Sequence, residues 1–399
     1  MESFMKKRLI SAAALLVVSN TFSPAAFADD DWKALTEKAK GQTVYFNAWG
    51  GSENINSYIE WAGDKVKDQY GVNVELVKIT DAGAVVKRIK TEKEAGRTEG
   101  GSVDLMWVNG ENFRALKAGG LLHGPWAESV PNWSFIDTNM PVRKDFSETT
   151  DGLEAPWGRA QLTFIADKNV VAEPPRSAVE LLEFATKNPG RVSYPKPPNF
   201  HGTTFLKQVL SELIEDKAVL AVPVDKDTFA VASQPLWDYL DKLHPVAWRK
   251  GKAFPASNTE MNQKLADGEL KLSLTFNPNE AANLIVKEQL PPSVYSFGFT
   301  KGTIGNIHFV AIPFNANAKE GATVFANFLM SPEAQVRKAD ITKWGDPSVL
   351  DVTKLSVEQQ AVFKKRAPGS LNEVVPTLPE PNATWVEALE AEWLTRYGS

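Results

Sequence analysis

The chain has 399 residues, 43% of them apolar and 23% charged, with a formal charge of −5 at pH 7. This is the balance of a folded globular protein rather than a disordered one, and a net negative charge argues against nucleic acid, which selects basic surfaces. There is no cysteine, which excludes disulfides, a thiolate nucleophile, a lipid-modified cysteine anchor and any cysteine metal site.

Lys6-Lys7-Arg8 form a basic end, Leu9 to Val18 an apolar run, and Ala26-Phe27-Ala28 a small-residue site before Asp29-Asp30-Asp31. An apolar run of about ten residues is too short for a bilayer, which needs about 20. The three parts together have the pattern of a secretory signal peptide. Cleavage is expected after Ala28, and Met5 is an alternative start with a tidier basic end. No later apolar stretch is long enough to span a membrane. An exported chain without a lipid anchor is retained only where an outer membrane encloses it, so a Gram-negative periplasm and a freely diffusing monomer are expected.

Thr43 to Trp49 reads as a buried strand ended by Gly50-Gly51, with Ser52 placed to cap the next helix. Ile55, Tyr58, Ile59, Ala62, Val66 and Tyr70 then recur at helical spacing up to Gly71. Val72 to Ile79 is a second strand; a helix with Val85, Val86 and Ile89 on one face leads to a third, Val103 to Val108. Strand and helix alternating at this spacing imply a parallel sheet with right-handed crossovers. A Pro- and Trp-rich stretch, Gly124 to Trp157, breaks the pattern and leads to a strand over Ala160 to Ala166. Ser177/Glu180 and Ser257/Glu260 have capping-box spacing. Arg191 to Tyr194 reads as a short strand, Phe205 to Ile214 as a strong helix, and Leu270 to Phe276 as a strand. Tyr295 to Phe299 and Ile307 to Ile312 look like a second passage between domains. Ser331-Pro332 restarts a helix, and the rest, through Trp385, Leu389 and Trp393, reads as a helical tail.

In this order the segments resemble the extracytoplasmic solute-binding proteins of ABC importers, of the two-lobed type II class. The landmarks are Val103-Asp104-Leu105 leading to Leu116-Lys117-Ala118-Gly119-Gly120-Leu121-Leu122, and Ala155-Pro156-Trp157 before Leu162 to Asn169. Pro175-Arg176-Ser177 with Leu181-Leu182 and Leu265-Ala266-Asp267-Gly268-Glu269 follow, and the most specific is Phe328-Leu329-Met330-Ser331-Pro332-Glu333-Ala334-Gln335. Asn47-Ala48-Trp49-Gly50-Gly51-Ser52 and the overall run resemble, more narrowly, the YnjB-type group, whose members are described as substrate-binding components of thiamine-type importers. The resemblance implies an α/β periplasmic-binding-protein type II fold, two doubly wound lobes joined by a hinge with a ligand cleft between them. The expected division is 29–160 with 306–345 as lobe 1, and 161–305 with 346–399 as lobe 2 and its tail. It also implies a small-molecule ligand, an ABC permease with its ATPase subunit as partner, and no cofactor.

Ligands of open α/β sheets bind beyond the carboxyl ends of the strands, where loops feed helix N-termini. The candidates are Trp49, Gly50, Gly51 and Ser52 after the first strand; Trp107, Asn109 and Glu111 after the third; Trp157 and Arg159 before the crossover; Thr203 in the Phe200–Thr204 loop; and Asn277 and Glu280 after the Leu270–Phe276 strand. Each has a structural alternative. The glycines suit a plain turn, Trp107 suits the core, Glu111 a helix N-terminus, Trp157 and Arg159 a surface stack, and Asn277 an ordinary cap. Aromatic plates with carboxylates fit a flat organic cation, whereas helix N-termini and Arg159 fit an anion. A zwitterion or a phosphorylated cation satisfies both, and a polyamine also fits carboxylates and tryptophans. No two of the seven tyrosines are adjacent, which disfavours ferric iron, held by paired tyrosines in one branch of the family. His123, His201, His244 and His308 lack metal-ligand spacing. Thiaminase-like enzymes resemble this fold but use a cysteine nucleophile. The hydrolase, metalloprotease and P-loop motifs are absent as well. A secreted carboxylate-based glycoside-active enzyme is the alternative to a binder.

Overall fold

The computed structural model describes residues 29–398; the export signal expected over 1–28 lies outside them. Helix α1 (Asp29–Ala39) carries three aspartates in its first turn, where carboxylates meet the positive end of the helix. Strand β1 (Thr43–Trp49) leads to α2 (Glu53–Tyr70), which buries Ile55, Tyr58, Ile59, Ala62 and Val66 and ends at Gly71 with φ 69°. β2 (Asn73–Ile79), α3 (Ala82–Glu94), β3 (Leu105–Val108) and α4 (Gly110–Ala118) complete the first alternating run. β1 pairs in parallel with both β2 and β3, Phe46 standing opposite Leu76 and Leu105. A two-residue-strand hairpin, β4 (Lys144–Asp145) and β5 (Glu148–Thr149), precedes β6 (Glu154–Gln161).

From β6 the chain passes directly into β7 (Thr163–Asp167) of a second sheet. There follow α5 (Ala178–Lys187), α6 (Phe200–Leu213), α7 (Lys226–Ala232), α8 (Gln234–Leu243), α9 (Asn258–Ala266), β8 (Leu272–Thr275), α10 (Glu280–Val286) and β9 (Val294–Phe297). It returns on β10 (Thr303–Ala311), then α11 (Lys319–Leu329), α12 (Pro332–Ala339), α13 (Val357–Lys364), β11 (Thr377–Leu378) and α14 (Thr384–Tyr397). The first sheet has the order β11-β10-β3-β1-β2, with β6 also on β10; β10 is antiparallel to β3 and β6. The second sheet is three antiparallel strands, β8-β7-β9. Two separate cores correspond to them. One is centred on Phe46, Leu105, Phe113 and Phe325, the other on Leu206, Trp237, Leu240 and Phe297.

Two expectations are corrected here. Residues 346–399 do not all belong to the second lobe: Val349, Leu350 and Leu355 lie in the first core, and Leu350 bridges to Ile136. Gln335 of α12 is the reason, its carboxamide oxygen accepting from Ser348 Oγ (2.9 Å) and holding the chain after α12 against lobe 1. Only later does the chain cross, Leu371 N donating to Pro278 O and Trp385, Leu389 and Trp393 entering the second core. Arg191 to Tyr194 is not a strand. Its carbonyls are used singly instead, Arg191 O by Lys271 N and Val192 O by Trp248 N.

Candidate functional site

A cleft of about 1230 Å³ lies between the lobes. Its lobe-1 wall is made by the carboxyl ends of β1, β2 and β3 and the helix starts that follow. Its lobe-2 wall is made by the starts of α6, α9 and α10, and α14 of the tail adds Val386 and Glu390. Ala160, Asn306 and His308, on the paired strands β6 and β10, also face it. Among the described residues no helix is long and apolar enough to cross a membrane, and no group of three or more ligating side chains could hold a metal.

Trp49, Gly51 and Ser52 line the cleft. A side chain at Gly51 would place its Cβ 2.3 Å from the Trp49 indole, so glycine lets that ring fold back over the loop. Gly50 does not line the cleft. A Cβ added there would lie 2.6 Å from Lys78 Cβ on the neighbouring β2, and the Gly50 N–H continues the ladder to Ile79 O. Ser52 caps α2 without a side-chain hydrogen bond. Trp107, Asn109 and Glu111 line the cleft; Asn109 Nδ2 donates to Ile307 O (2.9 Å), fastening β3 to β10. Glu111 accepts from Asn112 Nδ2 (2.9 Å). Burial pushes its carboxyl up to about 7, Lys207 pulling it down and Glu390 and Glu380 across the cleft pushing it up.

Trp157 and Arg159 are not in the cleft. Trp157 is fully buried, with Phe46, Trp107 and Trp344 packed edge-on around it. Its carbonyl accepts from Gln335 Nε2 and Lys338 Nζ. Residues two apart share a face of a regular strand, but the register of β6 on β10 shifts at Trp157, where His308 pairs with Gly158 and Phe309 with Pro156. This bulge re-aims the chain and leaves Arg159 exposed while Trp157 is buried. The sequence stretch was therefore a core strand rather than a loop presenting two side chains to ligand.

Sequence reasoning missed Trp344, His308 and Asp346, all of which face the cleft. The Asp346 carboxylate accepts from Lys338 Nζ (2.7 Å) and His308 Nε2 (3.0 Å), and all three groups are buried. Burial acts to raise the Asp346 carboxyl, but the His308 and Lys338 partners outweigh it and hold the group below its usual range. Burial lowers the Lys338 ammonium. A carboxylate only accepts, so His308 presents its proton on Nε2. Signal for this cluster in the sequence was weak: its members are 38 and 8 residues apart and follow no motif.

Thr203, Asn277 and Glu280 line the lobe-2 wall. Thr203 Oγ1 donates to Glu390 (2.7 Å), another residue the sequence did not single out. Asn277 Oδ1 accepts from Asn279 N (2.9 Å), as an Asn turn does, and Asn283 Nδ2 donates to Trp344 O (2.6 Å), tying α10 to lobe 1. Burial raises the Glu280 carboxyl, and burial lowers His201 to about 4, so that ring is neutral. Lys207 also faces the cleft, but it is paired with Glu380 at 2.6 Å, both buried.

The lining carboxylates are Glu53, Asp81, Glu111, Glu280, Asp346 and Glu390; the lining amines are Lys207 and Lys287. Lys207 is neutralised by Glu380 and Asp346 by Lys338. The remainder is acidic, with Lys287 alone against five carboxylates. Such a cleft focuses a negative potential on whatever enters it.

Two cores, strands crossing between them and a polar, aromatic-walled cleft at the crossing define a two-lobed solute receptor. The particular family follows from residues 61–362, which match the bacterial extracellular solute-binding proteins, and the chain belongs to that family. Protein YnjB of Escherichia coli (strain K12) is 54% identical over 385 residues, covering 96% of this chain and 98% of the relative. Among solved structures, the periplasmic binding protein AfuA of Actinobacillus pleuropneumoniae, with fructose-6-phosphate bound, is similar with a TM-score of 0.63 at 15% identity; 90% of this chain and 99% of that one are covered. The spermidine/putrescine substrate-binding protein PotD of Streptococcus pneumoniae is similar with a TM-score of 0.61 at 15% identity, covering 90% and 99%. The protein is thus a non-enzymatic component of an ABC transporter, of an extracellular or periplasmic family, whose partners are a solute and the transporter. That sets aside the glycoside-active alternative.

Proposed function

We propose that the chain is a periplasmic receptor for a small organic cation, which it delivers to an ABC permease driven by its ATPase subunit. The carrying observation is the charge of the cleft: five lining carboxylates are left without an amine partner, against Lys287. Trp49, Trp107 and Trp344 supply aromatic faces beside them, and a cation over such a face gains about 0.5–2 kcal/mol. The one arginine expected to favour an anion, Arg159, is outside the cleft. Thiamine, with a flat thiazolium, and polyamines such as spermidine both fit this description. The relation of PotD to spermidine and putrescine supports the cationic class. The helix start at Ser52, which has no side-chain cap, offers free N–H groups and favours, as a second reading, a cation that also carries a phosphate.

Native mass spectrometry of protein purified without denaturation, followed by calorimetric titration with thiamine, thiamine monophosphate, spermidine and fructose-6-phosphate, tests this. Binding of at least one of the cations with micromolar affinity, about −8 kcal/mol, is expected. Binding of fructose-6-phosphate with none of the cations would refute it.

A further inference from the structure

The hairpin β4–β5 turns through Phe146 (φ 42°) and Ser147 (φ 75°), both in the left-handed region. A two-residue hairpin loop with both central residues at positive φ favours Asn-Gly and similar pairs, and a bulky aromatic there is strained. A local rule broken at a tip calls for a compensating contact elsewhere. The contact is with the other lobe. Phe146 is 5% exposed and clusters with Ala383 and Val386, at the start of α14. Its ring also lies 4.6 Å from Lys207 Nζ on α6. The hairpin itself is anchored in lobe 1: Gly110 N donates to Asp145 Oδ2 (2.6 Å). A Cβ at Gly110 would fall 2.4 Å from the Phe146 ring, so only glycine there leaves the ring its place.

We propose that Phe146 is a positioning residue that latches the two lobes: it is carried by a lobe-1 hairpin and seated in a lobe-2 socket of Lys207, Ala383 and Val386. The socket has the chemistry to hold it. Ala383 and Val386 remove one side of the ring from water, and the Lys207 ammonium faces it as a cation–π partner. Glu380 fixes Lys207 by ion pairing (2.6 Å), and Asn306 on β10 fixes Glu380 by donating to its other oxygen (3.0 Å). The socket is therefore tied to the strand that runs between the lobes. Opening the cleft withdraws the ring, exposing Phe146 and Val386 to water. The latch rests on the two-lobed receptor and not on which solute it carries.

The test uses the absence of cysteine. Spin labels on Lys87→Cys of α3 and Asp267→Cys after α9, one exposed residue on each lobe, report the inter-lobe distance distribution of the solute-free chain. Phe146→Asn suits the turn better than phenylalanine but removes the latch. It is expected to leave the thermal midpoint unchanged or higher while shifting the ratio of wide to narrow distances about 5- to 30-fold towards wide. Phe146→Leu, which keeps an apolar tip, should restore most of the narrow population. Val386→Thr, nearly isosteric, should widen the distribution from the other side and carries the test alone if Phe146→Asn does not fold. Unchanged distributions in the Phe146→Asn and Val386→Thr variants that fold would overturn the proposal.

Discussion

Glu111 makes the cationic reading testable by pH alone. Its carboxyl lines the cleft at the start of α4, and burial raises it to about 7 in the solute-free protein. A cation bound beside it favours the ionised form, so binding and proton release are linked. If ionisation is required for binding, the apparent Kd grows as 1 + 10^(pKa − pH). Affinity then falls about tenfold between pH 8 and 6, or about 1.4 kcal/mol. At pH 7 about half a proton should be released per solute bound, read by calorimetry in two buffers of different ionisation enthalpy. Stability moves the other way. The folded chain keeps this proton longer than the unfolded chain, whose carboxyl ionises near 4.5. The contribution of Glu111 is therefore most favourable below about 4.5, is lost progressively as pH rises to about 7, and stays lost above that. Glu111→Gln should raise the unfolding free energy at pH 8, by at most about 3 kcal/mol, and leave it unchanged at pH 4. The same variant should bind thiamine or spermidine more weakly at pH 8 and lose the pH slope between 6 and 8. A slope that persists in Glu111→Gln, or a wild-type Kd flat over that range, would refute the assignment.

Two further results separate site from scaffold. Trp49→Ala should weaken the same cations roughly 2- to 30-fold, the loss of one cation–π face, without moving the thermal midpoint; Trp157→Ala should destabilise by about 3–5 kcal/mol in a denaturant titration, because that ring is wholly buried. Asp346→Asn leaves the Lys338 ammonium buried without its counter-charge, and a broken buried pair costs about 3–5 kcal/mol; a chemical-denaturation midpoint equal to wild type would show the pair to be dispensable.

The alternating first lobe was legible because its signals are local. Ile55 to Val66 repeat at helical spacing, Gly71 stops the helix, and β1 has the β-formers of a largely buried strand, with Tyr45 its one exposed residue. Cleft residues were legible wherever they stand at the end of such an element: Trp49, Ser52, Trp107, Asn109 and Glu111 follow strands, and Asn277 and Glu280 follow β8. Trp157 failed because aromatic next to glycine reads alike in a loop and in a strand that passes under a second aromatic layer. Trp344 failed for the converse reason. It sits in an irregular segment, and what makes it a cleft wall is the pair of hydrogen bonds from Asn277 and Asn283 to its carbonyl. The same holds for the boundary near 345, set by the Gln335 side chain rather than by any change of composition.

Charge was the property least accessible to one-dimensional reading, and the proposed cationic solute rests on it. Counted along the chain, lysines and acids alternate and give a surface of mixed sign. Folding removes some of them selectively. Lys207 finds Glu380 across 173 residues of sequence, and Lys338 finds Asp346 under the aromatic cluster of Trp157 and Trp344. Both lysines stand within a few ångströms of aromatic rings, so each could have been read as a cation competing for the same faces a ligand would use. Paired and buried, they instead support the walls, and Glu111, Glu280 and Glu390 are left to line the cleft. Burial keeps all three carboxyls above their ordinary range, so a cation entering the cleft relieves a cost the empty receptor carries. On the proposed cationic reading, a neutral solute of the same shape lacks that gain and should bind more weakly.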